Sequence, residues 1–188
     1  MNPVYAMRVE QTKLRQTMVI RIAEGTLDTR FGQYREYLYY NGQKETVALV
    51  MGQVRNETGV LCRVHSSCLA CHAFNSVECD CREQMEISQR LIQEAGQGVI
   101  ICLEQEGKAN GHFALLKSKE FKSHGMPQAQ AYEAVGFKSD ARDFTPAAEI
   151  LNDLGVLSIT MLTDNAGKAK TLRQCGVEVA GIRKVGME

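Results

Sequence analysis

A mixed α/β (α+β) fold, with antiparallel β-structure in front and alternating β and α elements behind, is predicted by three features of the 188-residue sequence. The front third carries β-branched and aromatic residues in short runs separated by turn residues. Apolar residues then switch to a helical period just after residue 81. Beyond that point, short apolar runs of the buried-strand type alternate with helical segments. No internal repeat, low-complexity tract or linker interrupts the chain, and only three prolines are present. A single unit over 1–188 is therefore expected, with residues 1–16, polar and patternless, as a loosely held lead-in.

The β-texture begins at Thr17 with T-M-V-I-R-I-A and continues through Y-R-E-Y-L-Y-Y (34–40) and E-T-V-A-L-V-M (45–51). Between the last two, Asn41-Gly42 supplies the positive φ values of a tight hairpin. Val60–Val64 reads as a further strand that delivers a Cys-rich loop. Ile87, Leu91, Ile92 and Ala95 share one helical face, with Gly96 as the stop. Val99–Leu103 is a buried strand followed by the polar loop E-Q-E-G-K-A-N-G, and 112–124 can be helical. Thr145 and Pro146 form an N-cap and first-turn pair for a helix with Ala147, Ile150, Leu151 and Leu154 inward and Gly155 beyond. A strand over 156–162, a loop, a helix over 168–175 and a strand over 177–181 complete the chain.

Net charge is zero and 44% of residues are hydrophobic. The chain can bury a core, and no global electrostatic pull toward nucleic acid or membrane is expected. No run approaches the ~18 apolar residues of a membrane helix, and the N-terminus has charges early, so a soluble, cytoplasmic protein is expected. Seven cysteines is an odd number, and a reducing compartment favours metal binding over disulfides. Cys62, Cys102 and Cys175 sit alone among apolar neighbours and read as buried core residues.

The remaining four cysteines fall between Arg63 and Gln84. Soft thiolates brought close by a short loop can hold zinc. Cys68, Cys71, Cys79 and Cys81 together would make a closed structural cage. Cys68, Cys79 and Cys81 alone would leave the fourth position open, as catalysis needs; spacing does not choose between them. His72 is a further ligand candidate or an ordinary loop histidine. Glu104, Glu106 and Lys108 follow a buried strand, where ligand crevices form in α/β folds, although a solvated loop looks the same. Asp140 and Arg142, flanked by Phe137 and Phe144, could supply a general base and a phosphate-directed guanidinium, or simply a loop ion pair. T-D-N-A-G-K (163–168) joins a strand to a helix and offers backbone N–H groups, a hydroxyl and a lysine to an anion. It is not a P-loop, because Ala169 stands where Ser or Thr would be and no glycine lies five before Gly167.

Taken together, the pieces resemble the GTP cyclohydrolase II family. Its R-V-H-S-x-C, C-D-C and Gln pattern is met by Arg63, His65, Ser66, Cys68, Cys79, Asp80, Cys81 and Gln84. Its Q-E-G-R is similar to Gln105–Lys108, its G-F-x-x-D-x-R-D-F to Gly136–Phe144, and its L-T-N-N-x-x-K to Leu162, Thr163, Asp164, Asn165 and Lys168. The resemblance covers roughly Arg63 to Val179 and implies a GTP cyclohydrolase II-like fold. It also implies one zinc per chain on Cys68, Cys79 and Cys81, magnesium with the triphosphate, and a homodimer acting on GTP or a related purine nucleotide. Arg142 resembles the nucleophile toward the α-phosphorus and Asp140 its acidic helper. Arg63, His65, Ser66, Gln84, Glu106, Lys108, Thr163 and Lys168 would surround the nucleotide, with Gly107 and Gln128 completing that set. The implied reaction opens the imidazole ring of GTP and releases pyrophosphate and formate, giving a diaminopyrimidinone ribosylamine phosphate for riboflavin synthesis.

The sequence departs from the family pattern at several positions. Lys119 stands where the family has a tyrosine implicated in catalysis, and a lysine is a different acid carrying positive charge. Ser67 replaces a Glu, Lys108 an Arg, Gln128 a Thr, and Arg82 a small residue, while Ala109–His112 replace N-I-G-L. These changes suggest a divergent paralogue, with three alternatives to the full reaction: a truncated one that retains the formyl group, a related purine nucleotide as substrate in a specialised-metabolite pathway, or a non-catalytic nucleotide-binding protein with a structural four-cysteine zinc.

Overall fold

The structure is a computed structural model that describes residues 19–186, so the expected lead-in and the first two residues of the T-M-V-I-R-I-A run lie outside the described residues. The chain runs β1 (Ile20–Thr29), β2 (Gly32–Tyr40), β3 (Glu45–Met51), β4 (Val60–Ser66), α1 (Leu69–Phe74), α2 (Cys81–Ala95) and β5 (Gly98–Leu103). It continues through α3 (Gly111–Ser123), α4 (Gln128–Ala134), α5 (Thr145–Asp153), β6 (Ile159–Leu162), α6 (Ala166–Gln174) and β7 (Val179–Arg183). The seven strands form one mixed sheet in the order β1-β2-β3-β5-β4-β6-β7. β1, β2 and β3 form an antiparallel meander that joins β5 antiparallel, whereas β5, β4, β6 and β7 run parallel. The front and back textures of the sequence thus become two halves of the same sheet.

Both faces of the central strands are covered, which explains their continuous apolar runs. On one face Ala147, Ile150 and Leu151 of α5 and Ala169 and Leu172 of α6 pack with Cys62, Val64, Val99, Ile101, Ile159 and Met161. On the other, Ile92 of α2, with Met85 and Leu91 against it, packs with Leu49, Ile100 and Leu162. Cys62 is fully buried, and burial pushes its thiol up to about 12, so it is a core residue as expected.

Three local expectations change. The β2–β3 connection is a four-residue loop, not a two-residue turn. Only Gly42 of the Asn41-Gly42 pair has positive φ (89°), and the Asn41 side chain accepts the N–H groups of Gln43 and Lys44 at 3.0 and 2.8 Å. Thr145 is not a side-chain cap, because its own N–H donates to Asp143 Oδ1 at 2.9 Å. The last strand starts at Val179 because Val177 closes α6 instead, its N–H donating to Leu172 O at 3.1 Å after Gly176 in the left-handed region (φ 88°). Among the described residues, no helix is long and apolar enough to cross a membrane.

Candidate active site

The chain reverses its winding at β4, which has β5 on one side and β6 on the other. Beyond the carboxyl ends of parallel strands at such a reversal lies the crevice where α/β sheets bind ligands. A cavity of about 430 Å³ opens there. Of the fifteen residues to which the family resemblance gives a role, fourteen line it: Arg63, His65, Ser66, Cys68, Cys79, Cys81, Gln84, Glu106, Gly107, Lys108, Gln128, Arg142, Thr163 and Lys168; the candidates Cys71, His72 and Glu104 do not. Asp140 reaches it through Arg142, whose Nε donates to Asp140 Oδ1 at 2.9 Å and whose Nη2 donates to Oδ2 at 2.5 Å. Burial works against the Asp140 carboxylate, but the hydrogen bonds and charge of Arg142 outweigh it and hold the group below its ordinary range.

Cys68 is the N-cap of α1 and Cys81 opens α2, so two helix starts bring the thiols together. The sulfurs of Cys68, Cys79 and Cys81 all lie within 4.8 Å of one another, with Cys68 and Cys79 3.6 Å apart. A tetrahedral zinc with bonds of about 2.3 Å sets its sulfurs about 3.8 Å apart, so this donor set fits the ion in both softness and spacing. Burial, then Cys79 and Cys68, push the Cys81 thiol up, a cost that a divalent cation among the sulfurs would remove. Cys71 stands outside this set: its sulfur accepts the Arg82 N–H at 3.4 Å and lies 3.5 Å from the Cys79 carbonyl.

Arg63, 2% exposed, forms the cavity floor and links it to the thiols. Its Nη1 donates to Leu162 O at 3.0 Å and its Nη2 to Gln84 Oε1 at 2.6 Å, while Gln84 Nε2 donates to Asp80 Oδ2 at 2.8 Å, between Cys79 and Cys81. His65, 4% exposed, meets His72 at 3.0 Å between their Nε2 atoms. Burial first, then the charge of Arg63, lowers His65 to about 3, so the imidazole is neutral. His72 is therefore a partner of His65 among the described residues and not part of the thiol cluster. Among the described residues, His65 Nδ1, Arg63 Nε and Ser66 Oγ are buried without a hydrogen-bond partner, which leaves polar groups for a ligand to meet.

The loop after β5 holds Gly107, Lys108 and Ala109 consecutively in the left-handed region, at φ 59, 55 and 65°. Glu106, ahead of this turn, accepts the Leu69 N–H at 2.7 Å and so anchors the start of α1. A Cβ on Gly107 would lie 2.6 Å from the Gly111 carbonyl, which requires glycine there. Ala109 takes the same left-handed conformation with a Cβ, so Ala109→Gly is expected to stabilise the fold by about 1 kcal/mol, read as a raised urea midpoint at unchanged slope.

At the rear wall Thr163 accepts the Asn165 N–H at 3.1 Å, and Asn165 caps α6. Lys168, nearly buried, is lowered to about 8 by burial and then by the positive charges of Arg63 and Arg142. At the front rim Gln128 Nε2 donates to Ser118 Oγ at 2.9 Å. Lys119 is exposed, and its ammonium lies 2.9 Å from Oε1 of Glu78, a residue of the cavity lining. Ser67 ties β4 to the β5 loop by accepting the Gln105 N–H at 2.9 Å. Glu78, Leu115 and Lys122 also line the cavity. Glu78 comes from the thiol loop beside Cys79, and Leu115 and Lys122 come from α3, where no motif marks them.

The sequence profile of the family described as GTP cyclohydrolase II matches residues 20–184. The chain is 38% identical over 161 residues to a protein named GTP cyclohydrolase-2 from Actinobacillus succinogenes, covering 85% of this chain and 74% of that one. It is 35% identical over 166 residues to riboflavin biosynthesis protein RibBA from Endomicrobium trichonymphae, covering 87% of this chain and 41% of that one. Among solved structures, RibBX, a two domain 3,4-dihydroxy-2-butanone 4-phosphate synthase from A. baumannii, shares the fold with a TM-score of 0.51 at 16% identity, covering 93% of this chain and 42% of that one.

Proposed function

The chain belongs to the GTP cyclohydrolase II family, and we propose that it opens the imidazole ring of GTP by hydrolysis with release of pyrophosphate and formate. One observation carries this reading: a three-thiol cluster and a set of phosphate-directed cations, Lys108, Arg142 and Lys168, face the same cavity. Cys68, Cys79 and Cys81 would hold zinc. That ion supplies Lewis acidity and lowers the pKa of water at neutral pH.

The remaining work falls to the side chains. Arg142, fixed by both oxygens of Asp140, faces the α-phosphorus, with Asp140 placed to take the proton that the guanidinium must lose to attack. Lys168 and Lys108 meet phosphate oxygens, and Thr163 and the start of α6 add a hydroxyl and N–H groups. Gln84 and Glu106 read the base edge. His65 and Ser66, with unmet polar atoms, complete the contacts to the nucleotide. Magnesium on the triphosphate and a homodimer belong to the same proposal, on the sequence resemblance alone.

Lys168 carries its charge below about pH 8 and loses it above. Phosphate binding should weaken accordingly, so kcat/KM for GTP is expected to fall about tenfold per pH unit above that value. In Lys168→Arg, which stays charged, a pH profile should lose this limb.

A second reading is favoured by the Lys119–Glu78 pair, since an ammonium engaged at 2.9 Å with a carboxylate cannot do the acid-base work of a phenol. The ring would then open but keep its formyl group. Purified protein incubated with GTP, zinc and magnesium distinguishes the two by mass spectrometry of the nucleotide product together with formate and pyrophosphate assays. Pyrophosphate with formate supports the full reaction; pyrophosphate with a formylated product supports the shorter one. Unchanged GTP would sink both.

A further inference from the structure

Between the thiols of Cys68 and Cys79 runs α1, a helix of only six residues. So short a helix has little stability of its own and depends on what holds its ends. Its start is anchored by Glu106 through the Leu69 N–H. Its end presents carbonyls that no helical N–H can reach. Arg82, the second residue of α2, takes them: Nη2 donates to Cys71 O at 2.7 Å and to His72 O at 2.9 Å, and Nη1 donates to the side-chain oxygen of Asn75, the left-handed C-cap. The Arg82 backbone N–H also reaches Cys71 Sγ at 3.4 Å. A guanidinium at a helix C-terminus is further favoured by the helix dipole.

Arg82 follows Cys81 directly, so one residue bolts the helix that begins at Cys68 to the helix that begins at Cys81. We propose that Arg82 is a positioning residue of the metal centre, holding the Cys68 sulfur in register with those of Cys79 and Cys81. This rests on the three-thiolate zinc reading above. Without the clamp, α1 is free to shift and Cys68 becomes the ligand that lets go. Groups that orient metal ligands in this way typically contribute 10–100-fold to metal affinity.

The test is zinc release to a chromogenic chelator, together with the thiolate-to-metal charge-transfer bands of the cobalt-substituted protein. Arg82→Met keeps the aliphatic stem and removes the donors. It is expected to release zinc at least about tenfold faster and to weaken or shift the cobalt bands. Arg82→Lys, with one donor group for three acceptors, should fall between the two, and covers the case in which the Met variant does not fold. Arg90→Met, on an exposed position of α2, is the control and should behave as the parent. Parental release rates and bands in both Arg82 variants would overturn the proposal while leaving the zinc reading intact. A parental protein that takes up neither zinc nor cobalt would overturn both.

Discussion

Arg142→Ala is expected to leave zinc bound and to lower pyrophosphate release from GTP by at least about 10³-fold, measured by a coupled pyrophosphate assay alongside metal analysis. The size follows from losing a covalent participant together with a preorganised charge on the transferring phosphoryl group; removal of one preorganised donor alone costs about 10²–10³. The metal should stay because no contact of Arg142 reaches the thiols; its bonds go to Asp140 and its guanidinium lies 5.5 Å from the Phe144 ring. Arg142→Lys should rescue little, since an ammonium cannot bridge both Asp140 oxygens as a fork. Pyrophosphate release at the parental rate would remove Arg142 from the reaction.

Cys81→Ser is expected to reduce bound zinc from one per chain to a small fraction of that and to abolish ring opening. A hydroxyl is a poor zinc ligand where a thiolate is a strong one. Cys71→Ser is the informative partner: with its sulfur outside the cluster of three, it should retain a full equivalent. Metal content after gel filtration against a chelator reads both. Zinc loss from the Cys71 variant equal to that from the Cys81 variant would restore the four-thiolate structural cage and remove the open position that catalysis needs.

Much of this site was legible because its residues follow strand ends that themselves read clearly. Gly98–Leu103 and Ile159–Leu162 are apolar runs with cavity-lining polar residues just beyond them, and in Val60–Ser66 the lining residues Arg63, His65 and Ser66 alternate with apolar ones within the strand itself. Two helices were not legible. α1 spans under two turns and is held at both ends by residues distant in sequence, Glu106 and Arg82, so no local period announces it. α4, Q-A-Q-A-Y-E-A, has no apolar stripe, yet Ala131 and Tyr132 are buried. Lys119 shows a different limit. The sequence marks it as an altered catalytic position, but nothing in it reveals that Glu78, forty-one residues earlier and in the cavity lining, engages the ammonium.

The winding reversal at β4 has a consequence for how the protein matures. The thiols of Cys68–Cys81 leave the ribosome long before β6 and Lys168, roughly 90 residues later. At about 5–20 residues per second, all three thiols have been synthesised some 5–20 s ahead of the phosphate half of the site. Over that interval β4 has only β5 to pair with, and the Arg63 guanidinium lacks the Leu162 carbonyl it will finally hold. On the three-thiolate zinc reading proposed above, zinc present during synthesis is expected to give a higher yield of active protein than zinc added afterwards.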